Sequence, residues 1–145
     1  MRRTLLVLAL LLPLVSCSSG GTAPGVARPA EIAQPAIHIA PVHDIFFGRG
    51  SSAAVALEIE VTNRANVPLL LREVEVSSSG MMQYTLRTRR QRYNETLAPG
   101  ETKRVTLFTE AYANVRNPSE PLSMRSFVFF EVNGKLFREI VFSRG

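Results

Sequence analysis

Residues 127–142 read FVFFEVNGKLFREIVF, two apolar-rich runs on either side of Asn133-Gly134. Phenylalanine, valine and isoleucine favour extended backbone, and the second run alternates at the two-residue period of a β-strand. Asn-Gly is the dipeptide best suited to a type I′ turn, because both of its residues adopt positive φ. The stretch therefore predicts a β-hairpin with strands at 127–132 and 136–142.

The two-residue period recurs towards the N-terminus. Residues 55–61 read VALEIEV, with Leu57 and Ile59 on one face and glutamates on the other, which is typical of a half-buried antiparallel strand. A change of apolar parity within the next strand, 69–76, indicates a β-bulge near Arg72-Glu73. Further strands are predicted at 36–47, 81–92 and from 105 onwards. About seven strands and no helical period predict an all-β, immunoglobulin-like antiparallel β-sandwich.

The N-terminus has the order of a secretory signal peptide: Met1-Arg2-Arg3, then an apolar run, then Leu14-Val15-Ser16-Cys17. The Leu-Val-Ser-Cys ending resembles the bacterial lipobox. That resemblance implies cleavage before Cys17 and acylation of this cysteine. A transmembrane helix is an alternative, but the apolar run is much shorter than the roughly 20 residues that a bilayer requires. An ordinary secretory signal is another, although Leu14-Val15-Ser16 fits its small-residue cleavage site poorly.

The chain of 145 residues divides into three segments. We expect a lipoprotein signal peptide at 1–16, the lipidated Cys17 with a flexible tether rich in Ser, Gly and Pro at 17–36, and the β-sandwich at 37–145. Processing removes Arg2 and Arg3, which leaves 15 basic and 12 acidic side chains, a formal charge of +3. With its one cysteine acylated, the chain has no disulfide framework.

Two motifs carry a family resemblance. Residues 57–63 read LEIEVTN and are followed by Pro68-Leu69, a pattern that resembles the late-embryogenesis-abundant type 2, or water-stress-hypersensitivity, domain. The later motifs LAPGET at 97–102 and FEVNGKL at 130–136 fit the same family, although Arg64 departs from its usual Asn-Pro-Asn turn. Over about 37–143, the resemblance implies a small immunoglobulin-like sandwich without catalytic residues.

Residues suited to catalysis or metal binding are few. His38 and His43 lie five residues apart on an extended segment, so their side chains point to opposite faces. A zinc site needs three or four convergent protein ligands, so we expect no metal and no cofactor. The serines at 51–52 and 77–79 fall in turn-like stretches without a neighbouring base. We therefore predict no catalytic residues.

Four carboxylates alternate on two consecutive strands, Glu58 and Glu60 on the first and Glu73 and Glu75 on the second. If these strands pair, all four would share one outer face. We expect a solvated face with arginines between the carboxylates rather than a cation site, because like charges opposite one another are unfavourable.

The densest charge run contains Arg87, Arg89, Arg90 and Arg92. These arginines are candidates for contact with anionic lipid headgroups, acidic glycans or an acidic partner protein. The alternative is an edge strand that its charges keep soluble. In either case we expect these arginines to be exposed. The lipobox resemblance implies a location in the cell envelope, so we expect no nucleic-acid partner.

Residues 127–130 are apolar on both faces of their strand. We expect the long connection 112–124 to cover the second face, with a partner protein as the alternative.

Together these features predict a non-enzymatic protein of the cell envelope, held by acylated Cys17 in the outer membrane and facing the periplasm. Its sandwich would bind or organise an envelope protein or an anionic lipid. The alternative is a lipid-handling or accessory subunit of an envelope transport or assembly complex. A large apolar cavity between the sheets would favour lipid handling, and a packed core with an apolar outer strand would favour a protein partner.

Overall fold

The computed structural model describes residues 33–47, 51–80, 83–115 and 121–144. Within these ranges the chain forms two four-stranded antiparallel sheets, ordered β1-β2-β6-β4 and β5-β3-β7-β8. The strands are β1 (Ala36–Pro41), β2 (Ser52–Thr62), β3 (Leu69–Ser78), β4 (Tyr84–Leu86), β5 (Arg89–Leu97), β6 (Thr102–Ala113), β7 (Ser123–Val132) and β8 (Lys135–Arg144). The predicted all-β sandwich is confirmed, with eight described strands instead of about seven. No helix in these ranges is long and apolar enough to cross a membrane.

The additional strand comes from the segment 81–92, for which the prediction of a single strand is wrong. Its described part belongs to both sheets: β4 pairs with β6, and β5 pairs with β3. The inward-facing Tyr84 and Leu86 are buried, and the backbone N–H of Arg87 donates to the carbonyl of Glu110 where β4 ends. A strand with only two inward apolar side chains shows too little periodicity to be separated from its neighbour.

The C-terminal hairpin is confirmed. Asn133 and Gly134 have φ values of 51° and 72°, and Val132 pairs with Lys135 across the two-residue turn. Since this turn fixes the register, Phe127 lies opposite Ile140 and the inward-facing Phe130 lies opposite Phe137.

The predicted bulge in β3 is also confirmed. The register of β3 shifts between Leu71 and Glu73 against both of its neighbours. Leu71 and Val74 are fully buried, so the extra residue places Arg72 and Glu73 together on the outer face of the second sheet.

The space between the sheets is filled by aliphatic side chains. Leu57, Ile59 and Leu107 from the first sheet and Leu71 and Leu97 from the second have no solvent exposure. The face of β2 that was predicted to carry Leu57 and Ile59 is therefore the inward one. Dense packing of this kind stabilises a sandwich through apolar burial and leaves little room for a ligand between its sheets.

Asn63 is the polar group that organises one end of this core. Its side-chain Nδ2 donates to the carbonyls of Val67, Leu97 and Ala98 at 2.8, 3.1 and 3.2 Å, and its Oδ1 accepts from the Ala65 N–H at 3.0 Å. The Asn63 backbone also exchanges hydrogen bonds with the turn at 98–101. This fully buried residue thus joins the β2–β3 turn to the β5–β6 turn.

Both turns lie at the end of the sandwich where β1 begins. Ala36 pairs with Thr62 there, and Leu69 pairs with both Leu97 and Val132. The N-terminal segment therefore joins the domain at this end, and the chain between β4 and β5 lies at the opposite end.

Candidate interaction surface

The outer face of the β5-β3-β7-β8 sheet divides into two halves of different chemistry. On β5 and β3 the outward side chains are mostly charged. On β7 and β8 the outward side chains are mostly apolar. We call these the charged half (Arg72, Glu73, Glu75, Arg90, Arg92) and the apolar half (Phe127, Phe129, Leu136, Ile140, Phe142, together with Arg125 and Arg138).

Ion pairs neutralise most of the charged half. Arg90 lies 2.6 Å from a carboxylate oxygen of Glu75 and 3.3 Å from one of Glu73, and Arg92 lies 3.5 Å from Glu73. Hydrogen bonding to Glu75, aided by the charges of both glutamates, raises the pKa of the Arg90 guanidinium. Arg72, which the bulge turns outward, bonds Glu131 at 2.6 Å. The arginines of the charged half are therefore already paired with carboxylates of the same face.

The four arginines of the predicted contact run are all exposed. Arg89, Arg90 and Arg92 lie on the edge strand β5, and Arg87 precedes it and pairs with Glu110 at 3.1 Å. Of the four, Arg89 has no ion pair with any residue that the structure describes. Arg87, Arg90 and Arg92 already form internal ion pairs. The structure does not test the role of the run as an anion or partner contact, which stays a prediction.

A shallow groove of about 560 Å³ crosses the boundary between the two halves. Arg72 and Arg92 line one side, and Phe129 and Leu136 line the other. Tyr93 on β5 also borders the groove, but its ring packs against the core and its hydroxyl donates to the carbonyl of Thr106 in the opposite sheet at 3.0 Å. Burial raises the pKa of Tyr93 to about 12, so this phenol stays protonated and serves as a structural donor.

The apolar half is the more unusual surface. Leu136, Ile140 and Phe142 on β8 expose 64%, 44% and 69% of their area. The guanidinium carbons of Arg125 and Arg138 each lie 5.3 Å from the ring centre of Phe127. Neither arginine pairs with a carboxylate among the described residues. Apolar side chains and unneutralised cations therefore share this surface.

The predicted cover over this face is not seen in the described part of the 112–124 connection. Leu122 and Met124 pack into the core, and the Asn114 side chain bonds Thr85 in β4. Phe127 is instead shielded in part by its two arginines. Residues 116–120 lie outside the described ranges.

The four carboxylates do not share a face, because β2 and β3 belong to different sheets and the condition for a shared face, pairing of these two strands, is not met. Glu58 and Glu60 lie on the outer face of the first sheet, where Arg104 approaches them at 3.9 and 2.8 Å. Hydrogen bonding to Glu60 is the main cause of the raised pKa of Arg104. The expected insertion of arginines between carboxylates occurs, but separately on each outer face.

The remaining candidates for chemistry do not converge. His38 is exposed on β1 opposite Glu60, and His43 is exposed beyond the end of that strand. Across the described ranges, no group of three or more His, Cys, Asp or Glu residues is arranged to hold a metal ion. Ser78 accepts a hydrogen bond from the Leu86 N–H at 2.6 Å, which is a structural role. Cys17 and its predicted lipidation lie outside the described residues.

No protein-family model matches this chain, and no curated protein matches it. Solved structures do resemble it in fold. A protein from Archaeoglobus fulgidus has a TM-score of 0.47 and 8% identity, with 76% of this chain and 92% of that chain covered. A structural genomics target designated SoR45 has a TM-score of 0.50 and 10% identity over 77% and 83% of the two chains. A FixG-related protein from Vibrio parahaemolyticus has a TM-score of 0.38 and 15% identity over 76% and 93%. At these identities the likeness concerns the fold alone.

Proposed function

We propose that this chain is a lipid-anchored protein of the cell envelope that serves as a binding or organising module without catalytic activity of its own. Acylated Cys17 would hold it in the membrane, with the outer membrane and the periplasm as the proposed location. Its sandwich, which we place in the immunoglobulin-like family of water-stress domains, would bind another envelope component.

One observation carries the choice of a protein partner. The core between the sheets is closed by fully buried leucines such as Leu57 and Leu107, whereas Leu136 and Phe142 stand exposed on an outer strand. Contiguous exposed apolar surface is uncommon on monomers and marks sites of interaction. This combination favours a protein partner over a lipid held within the sandwich.

Purification from membranes tests the proposal. The full chain, tagged at its C-terminus and extracted in mild detergent, should retain an envelope protein in a fixed molar ratio. Cys17→Ala should fractionate as a soluble or unprocessed form, because burial of acyl chains is the main hold on the bilayer. Retention of a stoichiometric lipid without any protein would instead support the lipid-handling alternative. Membrane-bound and normally cleaved Cys17→Ala protein would contradict the lipid anchor.

The arginine run has a different role in this proposal, namely to protect the β5 edge. Changing Arg87, Arg89, Arg90 and Arg92 to Gln should leave the fold intact but promote aggregation, because surface substitutions affect stability little and edge charges oppose strand pairing. Circular dichroism and light scattering measure the two effects. Salt-sensitive binding of the unmodified chain to anionic vesicles, lost in the Gln variant, would show that the run contacts lipid.

A further inference from the structure

We propose that the free edge of β8 and the apolar half beside it bind an extended segment of an acidic partner protein, which adds to the sheet as a further strand. This inference rests on the proposed function and specifies its partner: a strand that places a carboxylate opposite Arg138 and apolar side chains opposite Leu136, Ile140 and Phe142.

The first argument concerns the backbone. β8 pairs with β7 on one side, and within the described ranges no strand pairs with its other side. Ten residues of extended chain, Lys135–Arg144, therefore carry backbone groups that no strand pairs along this edge; β1 of the other sheet approaches β8 but forms no ladder with it. An added strand would pair these groups through main-chain hydrogen bonds, and every second side chain of that strand would contact the apolar half.

The second argument concerns charge. The charged half neutralises its arginines internally, as Arg90 does with Glu75 at 2.6 Å. Arg125 and Arg138 instead stack on Phe127 without a carboxylate partner among the described residues. Two such cations beside exposed apolar side chains fit a partner that supplies both carboxylates and apolar groups.

A second copy of this chain fits the edge less well. β8 carries Lys135, Arg138 and Arg144 against a single carboxylate, Glu139. Two copies of β8 would therefore bring like charges together, which is unfavourable across paired strands.

A membrane surface also fits less well. Apolar and basic side chains suit a lipid interface, but burying the β8 edge there would desolvate backbone groups that acyl chains cannot pair. The exposed apolar residues are distributed along the strand from Leu136 to Phe142 instead of clustering at one loop tip. This arrangement matches the length of a docked strand.

Two synthetic peptides test the inference with the full-length protein in lipid nanodiscs. The probe Ac-Leu-Thr-Val-Thr-Glu-Thr-Val-NH₂ should bind about tenfold more tightly than its Glu-to-Lys counterpart, measured by fluorescence polarisation of labelled peptides. Arg138→Glu should reverse this preference. Arg92→Glu, which alters an exposed arginine on the same outer face, should leave it unchanged. Methylation of the edge-facing peptide nitrogens should abolish binding if strands pair.

Several results would overturn the inference. Equal binding of the two peptides, an unchanged preference in Arg138→Glu, or full binding of the N-methylated peptide would each exclude strand addition at this site. Self-association lost in Phe142→Ser would identify a second copy as the occupant. Binding to phosphatidylglycerol vesicles that is lost in the same variant would identify a membrane as the occupant. Phe108→Ser on the opposite sheet is the matched control for both experiments, since Phe108 is 66% exposed.

The proposed function and this inference fail in distinguishable ways. If an envelope protein co-purifies with the chain and Arg138→Glu and Phe142→Ser leave its yield unchanged, the function stands and the β8 site is wrong. If only lipid co-purifies, the proposed function itself is wrong. Loss of the partner in both variants, with normal circular dichroism and no loss in Arg92→Glu, supports both.

Discussion

Replacing Asn63 tests how this small sandwich closes one of its ends. The Asn63 side chain donates two N–H protons to three carbonyl oxygens and accepts the Ala65 N–H, all in a fully buried position. Asn63→Ala removes about three effective hydrogen bonds at roughly 1 kcal/mol each, and it takes a donor away from the buried contact with the Leu97 carbonyl. We therefore expect a loss of about 3–4 kcal/mol in the free energy of unfolding, a large share of the stability of a small domain.

Asn63→Asp separates hydrogen bonding from packing, because the two side chains have nearly the same shape. The carboxyl group keeps an acceptor for Ala65 but directs its second oxygen at the carbonyls of Val67 and Leu97. Burial beside these oxygens favours the protonated form, so the folded pKa of the introduced carboxyl should exceed its unfolded value. Its destabilising effect should therefore be smallest at acidic pH and grow as pH rises above the unfolded pKa of about 3.9.

Equilibrium urea unfolding, followed by far-UV circular dichroism, measures both effects. Asn66→Ala is the control, because Asn66 is exposed in the same turn and should change stability by less than about 0.5 kcal/mol. Hydrogen exchange adds a local readout: the Gly100 N–H, which donates to the Asn63 carbonyl at 2.9 Å, should exchange faster in Asn63→Ala. Equal costs for Asn63→Ala and Asn66→Ala would refute a linking role for Asn63.

Four further substitutions probe the core and the surface. Ile59→Ala should lower the free energy of unfolding by about 2–5 kcal/mol, whereas Glu60→Ala on the opposite face of β2 should lower it by less than about 1 kcal/mol. Similar losses for both variants in urea unfolding would mean that the two faces of the strand are wrongly assigned. Tyr112→Phe should raise the lowered pKa of Glu110 towards its ordinary value, because the Tyr112 hydroxyl is the main cause of that shift; an unchanged NMR titration would contradict this cause. Ser126→Ala should leave stability unchanged or raise it by about 1 kcal/mol, because this buried hydroxyl has no hydrogen-bond partner among the described residues. A clear loss of stability would indicate an additional bond to Ser126.

Local patterns in the sequence were sufficient to predict individual strands. The period-two run at 55–61, the parity change at Arg72-Glu73 and the Asn133-Gly134 turn each depend on neighbours in the chain, and all three occur as predicted. The division of strands between sheets depends on distant contacts. Local patterns therefore leave the pairing of β2 with β3 open, whereas in the structure β2 pairs with β1 and β6.

The same distinction explains what the sequence reasoning missed at the surface. The arginine run is conspicuous because four cations lie within six residues of sequence, yet folding brings Glu73 and Glu75 next to Arg90. Arg125 and Arg138 look ordinary because each is a single cation in an apolar strand. The register set by the two-residue turn could have predicted the position of Arg138. It places Arg138 opposite Phe129, on the same outer face as Phe127.

The position of the N-terminus adds a geometric argument for a lateral partner. The chain enters the sandwich at Ala36, at the strand end that also holds the Asn63 turns. Acylated Cys17, as proposed, would therefore hold the domain by one end of its strands, and the outer face of β7 and β8 would lie along its side. A partner in the same membrane would then meet this side at a raised effective concentration, so that a weak contact by one added strand could suffice.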